Sequence, residues 1–446
     1  MNTEQSPLES LKSWIRNSVM LKLVTITILM LLLLIPTAMI QSIIHERESL
    51  SQQATEEVSA KWAKAQQING PIFTIPYMEE VVEEGKVTER RRYLSVLPEV
   101  LSIRGQVEPR TLKRGIYEVV VYESQLDLSG SFDLKKYVSA KKYPRLLYDQ
   151  AFLTIGISDL RGIVEQVFLK WNGEELAVEP GSRLEGLIAS GITVNLPDVY
   201  EDLEQSVSFD FRLDLQGSKQ LSFIPLGSVT QVQLASGWPA PSFRGNFLPD
   251  QREVSQAGFE ASWKILQLNR NFPQSWTDLG PRTELPKAEF GAEFLLPLDD
   301  YQKSMRSAKY GVMTIALTFL IFFLIEIISK RKIHPFQYIL VGLALCIFYV
   351  LLVSISEHTQ FNLAYFISTA AVVSMIGLYS LSVFKARRQS LLLVVALLGI
   401  YGFMYITLQL TDYALLMGAV GLTLTLAASM YFTRNINWYQ LNMKSE

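Results

Sequence analysis

A single cysteine in 446 residues excludes any disulfide within the chain, and that residue, Cys346, lies inside an apolar run. Histidine is nearly as scarce: His45, His334 and His358 are all there are. No HExxH, Gly-rich phosphate loop or nucleophile elbow occurs, which removes the commonest signatures of hydrolases and nucleotide enzymes. A formal net charge of −2 offers no basic surplus for nucleic acid. No cofactor and no metal site are expected. What the chain does have in quantity is long apolar runs.

One run extends from Leu21 to Ile44, and five more lie between Tyr310 and Phe432. Each is roughly 18–24 residues long, and about 20 apolar residues suffice for a helix to cross the hydrocarbon core. The intervening stretch, 46–309, has ordinary soluble composition. At about 265 residues it is large enough to bury its own core without staples. The expected fold is an α+β membrane protein with six transmembrane helices, one N-terminal and five C-terminal. A large, mostly antiparallel β, sandwich-like domain sits between the first and second. The boundaries read from the sequence are a cytoplasmic N-terminus (1–20), a first span (21–44), a stalk helix (45–68), a β domain (69–309), a helix bundle (310–433) and a cytoplasmic C-terminus (434–446).

Basic residues set the expected orientation. Lys12 and Arg16 precede the first span, Lys330, Arg331 and Lys332 follow the second, Lys385, Arg387 and Arg388 follow the fourth, and Arg434 follows the sixth. Connections on the other face are acidic or neutral, Ser356–Thr359 and Asp412. Basic loops stay cytoplasmic, so both termini are placed inside and the β domain outside. Lys303, Arg306 and Lys309, just before the second span, run against the rule at the end of a long translocated domain, where it is weak. The first run is too long for a cleaved signal peptide and lacks a small-x-small site, so it reads as a signal anchor, kinked near Pro36.

His45–Gln67 is polar and helix-prone, and Asn69-Gly70-Pro71 supplies the residues expected to end the stalk. Strands are expected from Ile72. The acidic run Glu79, Glu80, Glu83, Glu84 and the basic run Arg90–Arg92 flank a turn at Gly85-Lys86. A two-residue loop there sets Glu80 opposite Arg91 and Glu79 opposite Arg92. The bland account is a solvated hairpin; the sharper one is an arginine site for anionic lipid or polymer. Strand patterns recur at Tyr117–Tyr122, Gln125–Phe132, Ser206–Leu215 and Gly258–Leu268. In the third, Val207, Phe209, Phe211, Leu213 and Leu215 alternate with polar residues, as a half-buried antiparallel strand requires.

Four groups of residues are candidates for function. The segment Trp238–Pro249 carries Trp238, Phe243, Arg244 and Phe247 on an extended backbone in which Pro239 and Pro241 forbid regular ladder pairing. Exposed, its rings are a docking surface; tucked in, they are a plug. In Gly156–Gly162, Ser158 has no histidine near in sequence to act as base, and Asp159 capping a turn beside Arg161 is the simpler reading. Glu326, in the second span, is either an intramembrane relay or the i,i+4 partner of Lys330. Glu357 and His358, at the outer end of the third span, suggest a proton sensor or metal ligand, but no local spacing supports a metal site.

Strings of uncommon residues extend this picture: Gly156–Gly162 (GISDLRG), Pro225-Leu226-Gly227, Trp238–Pro249 (WPAPSFRGNFLP), Tyr301 with Lys309-Tyr310, Leu317–Phe319 with Glu326, His334–Tyr338 (HPFQY), Ser354–His358 (SISEH), Ala414–Leu416 and Met430–Tyr439 (MYFTRNINWY). In these the chain resembles the CreD family, cell envelope integrity inner membrane proteins of Gram-negative bacteria, from the first span almost to the C-terminus. One departure is Ala240, where the family pattern is expected to carry His, which counts against acid–base or metal chemistry in that loop. The resemblance implies an inner-membrane protein with its β domain in the periplasm, associated with a two-component system and envelope stress; it implies no molecular activity. The first reading is therefore a non-enzymatic envelope protein, embedded in the lipid bilayer, whose domain contacts a periplasmic protein or cell-wall partner. The second, a transporter or lipid-handling protein, uses Glu326, Glu357 and His358. A membrane-bound hydrolase is the third and weakest, since the domain lacks catalytic groups.

Overall fold

The strict alternation over Ser206–Leu215 is realised in a strand whose apolar side chains, Val207 to Leu215, are all buried while the residues between them face outward. In the computed structural model of the chain, residues 19–83, 86–197, 199–278, 280–296, 300–329, 333–410 and 414–434 are described. They form two compact units, residues 51–297 on one hand and 1–50 with 298–446 on the other.

The first unit consists of two large mixed sheets. One has nine strands in the order β13 (Pro241–Gly245), β17 (Phe290–Phe294), β11 (Gln220–Phe223), β1 (Gln66–Glu83), β5 (Phe152–Ile157), β9 (Gly191–Asn195) and β8 (Glu179–Pro180). In it β2 (Lys86–Val96) branches from β1 and pairs β16 (Ser275–Thr277). The other has eight: β14 (Gln251–Ser255), β15 (Gly258–Leu266), β12 (Val229–Ser236), β3 (Val100–Arg114), β4 (Tyr117–Asp133), β10 (Ser206–Ser218), β6 (Phe168–Trp171) and β7 (Glu174–Ala177). Pairing is antiparallel except between β1 and β11 and between β3 and β12. A four-residue helix, α3 (Leu134–Tyr137), follows β4. The sheets share one apolar core. In it Phe73 of the first sheet stacks on Trp171 of the second at 6.2 Å, and Phe132 meets Phe73 at 6.1 Å and Phe209 at 5.3 Å.

Four sequence expectations are corrected in this unit. The stalk helix ends at Lys61, and β1 begins at Gln66, well before Ile72. Asn69-Gly70-Pro71 does not end a helix; it lies at a register shift inside β1, where Gly70 at φ +144° lets the strand pass close over Thr154 and Ile155 of β5. In the hairpin Glu83 pairs with Lys86, so the two-residue connection falls at 84–85, outside the described residues. That moves the turn back by one and places Glu80 opposite Glu89 and Glu79 opposite Arg90, not Arg91 and Arg92. Arg145 compensates the like-charged pair by bridging both carboxylates, and Arg92 reaches Glu79 diagonally at 2.9 Å while also pairing with Asp278. Finally Pro241 does enter a ladder, as the first residue of edge strand β13, a place where its missing N–H costs nothing.

One buried charge ties the sheets together. Between β15 and β16 the chain crosses from the second sheet to the first, and Arg270 on that crossing is 7% exposed. Its guanidinium stacks on Phe272 at 4.2 Å and donates to the carbonyls of Phe272 and Leu226, each at 3.0 Å, and to the Gln274 amide oxygen. Gln274 in turn donates to the Pro98 carbonyl. Leu226 and Pro98 lie on two other crossings, β11 to β12 and β2 to β3. Burial pulls the Arg270 pKa down to about 10, and among the described residues no carboxylate pairs with it.

The second unit is helical. Helices α1 (Val19–Leu32) and α2 (Leu34–Lys61) are interrupted at Leu33, three residues before Pro36, whose ring nitrogen cannot bond the preceding turn. Then follow α4 (Asp300–Lys309), α5 (Gly311–Ser329), α6 (Pro335–Ser356), α7 (Phe361–Phe384), α8 (Arg387–Gln409) and α9 (Ala414–Thr433). Among the described residues four helices are long and apolar enough to cross a membrane: Met20–Lys61, α6, α7 and α8. A fifth is added if α4 and α5, bent by 42° about Tyr310, count as one span, and α9 contains a shorter apolar stretch, Leu416–Ala427. Residues 300–309, expected to close the β domain, are thus helical and belong with this unit.

Candidate functional site

Glu326 sits three residues before the end of α5 and is completely buried. The following α6 starts at Pro335, a residue suited to a first helical turn, and is capped by His334. Its Nδ1 accepts from the Phe336 amide at 3.2 Å while Gln337 Oε1 accepts from the His334 amide at 3.1 Å. This cap sets the first turn so that Tyr338 donates its hydroxyl to Glu326 Oε2 at 2.9 Å. The Ile333 amide donates to Oε1 at 2.7 Å, and Lys22 of α1 forms an ion pair with the same oxygen. The carboxylate therefore has an ammonium, a phenol and an amide around it, the set that lets a charge persist where water is excluded. Lys330, the partner expected from spacing, lies outside the described residues. The signal for Lys22 was in the sequence: it is the lone charge in the run Leu21–Ile44, and an isolated lysine and an isolated glutamate in two apolar helices need each other.

Glu357 lies at the far end of α6. It pairs with Arg47 Nε at 3.4 Å, so here too a residue of the N-terminal helix meets the C-terminal bundle. Lys22 and Arg47 are separated by about 37 Å of helix and Tyr338 and Glu357 by about 28 Å, close to a hydrocarbon thickness of roughly 30 Å. The two ion pairs thus fasten the N-terminal helix to α5 and α6 near both ends. His45 Nδ1 stands 3.3 Å from Glu48 on its own helix. His358 caps the end of α6 through its amide, 3.0 Å from the Ile355 carbonyl. Among the described residues no three His, Cys, Asp or Glu side chains converge as a metal site.

In the β unit, the aromatic residues of Trp238–Pro249 are half-buried and packed. Trp238 Nε1 donates to the Leu295 carbonyl at 2.8 Å. Phe243 meets Phe259 and Trp263 edge-on at 5.6 and 5.8 Å, and Phe247 stands perpendicular to Phe290 at 6.1 Å. Arg244 pairs with Glu293 across β17. Gly245, at φ +94°, crosses so close to the Glu289 and Phe290 backbone that no Cβ fits. The segment is an edge strand held flat by its own rings, with Leu248 65% exposed beyond it.

Asp159 does cap a turn, as its sequence context suggests. It accepts from the Arg161 and Lys64 amides at 3.2 and 3.0 Å and from the Arg161 guanidinium at 2.6 and 2.9 Å. Ser158 is occupied with Ala65 and Gln66. The Arg161 hydrogen bonds, against some desolvation, hold the Asp159 carboxyl down at about 2. A carboxyl depressed in the folded state stabilises above its unfolded pKa, and the contribution fades as pH falls through the folded one. Wild-type protein is expected to lose about 2 kcal/mol between about pH 4 and pH 2 that Asp159→Asn does not lose over the same range. Chemical unfolding of both proteins as a function of pH measures the difference.

Two comparisons bear on this arrangement. Residues 18–439 match the family model described as Inner membrane protein CreD. The chain is also 36% identical over 417 residues to the Inner membrane protein CreD of Escherichia coli (strain K12), an alignment covering 93% of this chain and 92% of that protein.

Proposed function

The chain belongs to the CreD family of inner membrane proteins, and on that premise we propose that it is a non-enzymatic envelope-maintenance protein whose β domain contacts an envelope partner. In this reading the apolar helices, six counting α9, cross the inner membrane with both termini cytoplasmic, and the β domain stands in the periplasm. The basic residues after the second, fourth and sixth runs support that orientation. The contact is made along Trp238–Pro249. The observation that carries this is the place of β13 at the end of its sheet, where, among the described residues, no neighbouring strand pairs with one side of it. An extended partner segment can add there, with Trp238 and Phe243 keeping the edge straight and Leu248 available beside it.

Site-specific photo-crosslinking in living cells from Leu248 and Trp238 tests the reading. A discrete adduct with another envelope protein or a cell-wall polymer is expected. Adducts confined to lipid or to this chain's own helices would remove the partner contact. The transport reading is weakened by the number of groups that hold Glu326 in place, since a carboxylate bound to lysine, tyrosine and a backbone amide is a fastening. Glu326→Gln keeps one oxygen to accept from the Ile333 amide, and its NH2 can donate to the Tyr338 hydroxyl oxygen, so it is expected to preserve the envelope phenotype; loss of the phenotype with the protein still folded favours transport instead.

A further inference from the structure

The second sheet of the β unit presents a polar outer face whose groups the fold itself leaves unused. Arg104 and Gln106 of β3, Gln125 and Asp127 of β4 and Gln233 of β12 point outward, while their neighbours Ile103, Val107, Leu126, Leu128 and Leu234 are buried in the core. The register sets Gln106 opposite Gln125, and Arg104 opposite both Asp127 and Gln233. Directly opposed side chains are close enough to interact, yet among the described residues none of the five has a hydrogen-bond or ion-pair partner for its side chain. Ala235, which the same registers set beside Gln106 and Glu260, gives a floor with no long side chain. A hollow of about 530 Å³ opens there.

A second hollow, of about 230 Å³, lies on the same sheet, lined by Asp210, Arg212 and Asp214 of β10 and by Phe168 and Lys170 of β6. The two adjoin, because β4 sets Asp127 beside Arg212 and Gln125 beside Asp214. Together they make one trough from Gln251 on β14 to Glu175 on β7, about 34 Å at the spacing of neighbouring strands. Three carboxylates and two guanidinium groups line the first hollow; four carboxylates, one ammonium and one guanidinium line the second. That acidic surplus repels phosphate-bearing polymers. Apart from Phe168, 42% exposed, the lining has no exposed apolar side chain larger than alanine with which to anchor a protein. It offers instead donors and acceptors side by side, five glutamine amides among the carboxylates and guanidinium groups.

We infer that this trough binds an uncharged oligosaccharide. Each sugar hydroxyl donates and accepts at once, so adjacent hydroxyls match the paired amides Gln106 and Gln125 and the Arg104–Asp127–Gln233 row. The Phe168 ring supplies an apolar face for the C–H side of a pyranose ring. An open trough crossing the whole sheet suits several linked sugars and not a single one, since a monosaccharide would meet only one of the two hollows. The site is on the other sheet from β13 and does not rest on the contact proposed there.

The test uses the full chain in lipid nanodiscs, where no sugar-headed detergent competes, titrated by calorimetry with the linear tetramers of N-acetylglucosamine and of glucose. Saturable binding of at least one tetramer is expected, and the preferred one tells an N-acetylated glycan from a plain glucan. Gln106→Ala combined with Gln125→Ala is expected to weaken binding about tenfold, and Phe168→Ala about threefold. All three side chains are exposed, so the melting temperatures of these variants should stay at the wild-type value. Absence of saturable binding to either tetramer overturns the proposal. So does undiminished binding by both folded variants, and so does tighter binding of oligolysine than of either sugar, which would mark an acidic surface for a cationic peptide.

Discussion

Glu326→Ala is expected to destabilise the helical unit by about 3–5 kcal/mol, because it strands the Lys22 ammonium and leaves the Tyr338 hydroxyl and the Ile333 amide without an acceptor. The penalty comes mostly from the groups left behind, so the partner's removal should return part of it. Lys22→Met combined with Glu326→Ala is expected to be more stable than Glu326→Ala alone, the non-additivity that two groups in contact produce. Lys22→Met by itself should cost less than Glu326→Ala, since Lys22 is 19% exposed in its side chain and Glu326 keeps two donors. Thermal unfolding of the four purified proteins in one detergent closes the cycle. Equal melting of wild type and Glu326→Ala would show that the ion pair fastens nothing, and would return Glu326 to consideration as a relay.

Arg270→Ala is the counterpart in the β unit, with an expected loss of about 3–5 kcal/mol. The guanidinium is the common donor to the Leu226 and Phe272 carbonyls and to Gln274, which itself holds Pro98. Removing it unties three of the sheet-to-sheet crossings at once and leaves their acceptors buried. Arg270→Lys should recover only part of the stability, because an ammonium can neither fork between two carbonyls in one plane nor stack flat on Phe272. For a domain of this size the alanine variant should melt about 10 °C lower. The readout is the β-sheet circular dichroism signal of the full chain on heating. An unchanged transition would mean that the crossings hold through their backbone bonds, such as Leu97 to Gln274 at 2.9 Å and Ser228 to Pro98 at 2.9 Å.

The features decided by sequence alone are those whose physics is local. Apolar runs of membrane-spanning length follow from the cost of exposing peptide groups to lipid, which only a continuous helix avoids. The period-2 alternation over Ser206–Leu215 assigned both the strand and its buried face, because a pleated strand turns every second side chain the same way. Asp159 and Arg161, two residues apart, form their turn through their own side chains, and Ala60, Lys64 and Gln66 add bonds around it. Tertiary structure decided whatever depended on which distant segments meet. The hairpin register turned on the position of a single loop residue, and the residues directly opposite Glu79 and Glu80 changed with it, though Arg92 still reaches Glu79 diagonally. Gly70-Pro71, two strong helix breakers, sits in a strand because β5 and β11 bond the residues around it. Lys22 and Glu326, 304 residues apart, and the three crossings gathered by Arg270 are charges satisfied across long sequence separation. Composition shows that such groups need partners, since a buried charge without one is too costly to persist; only the folded chain brings the partners within reach.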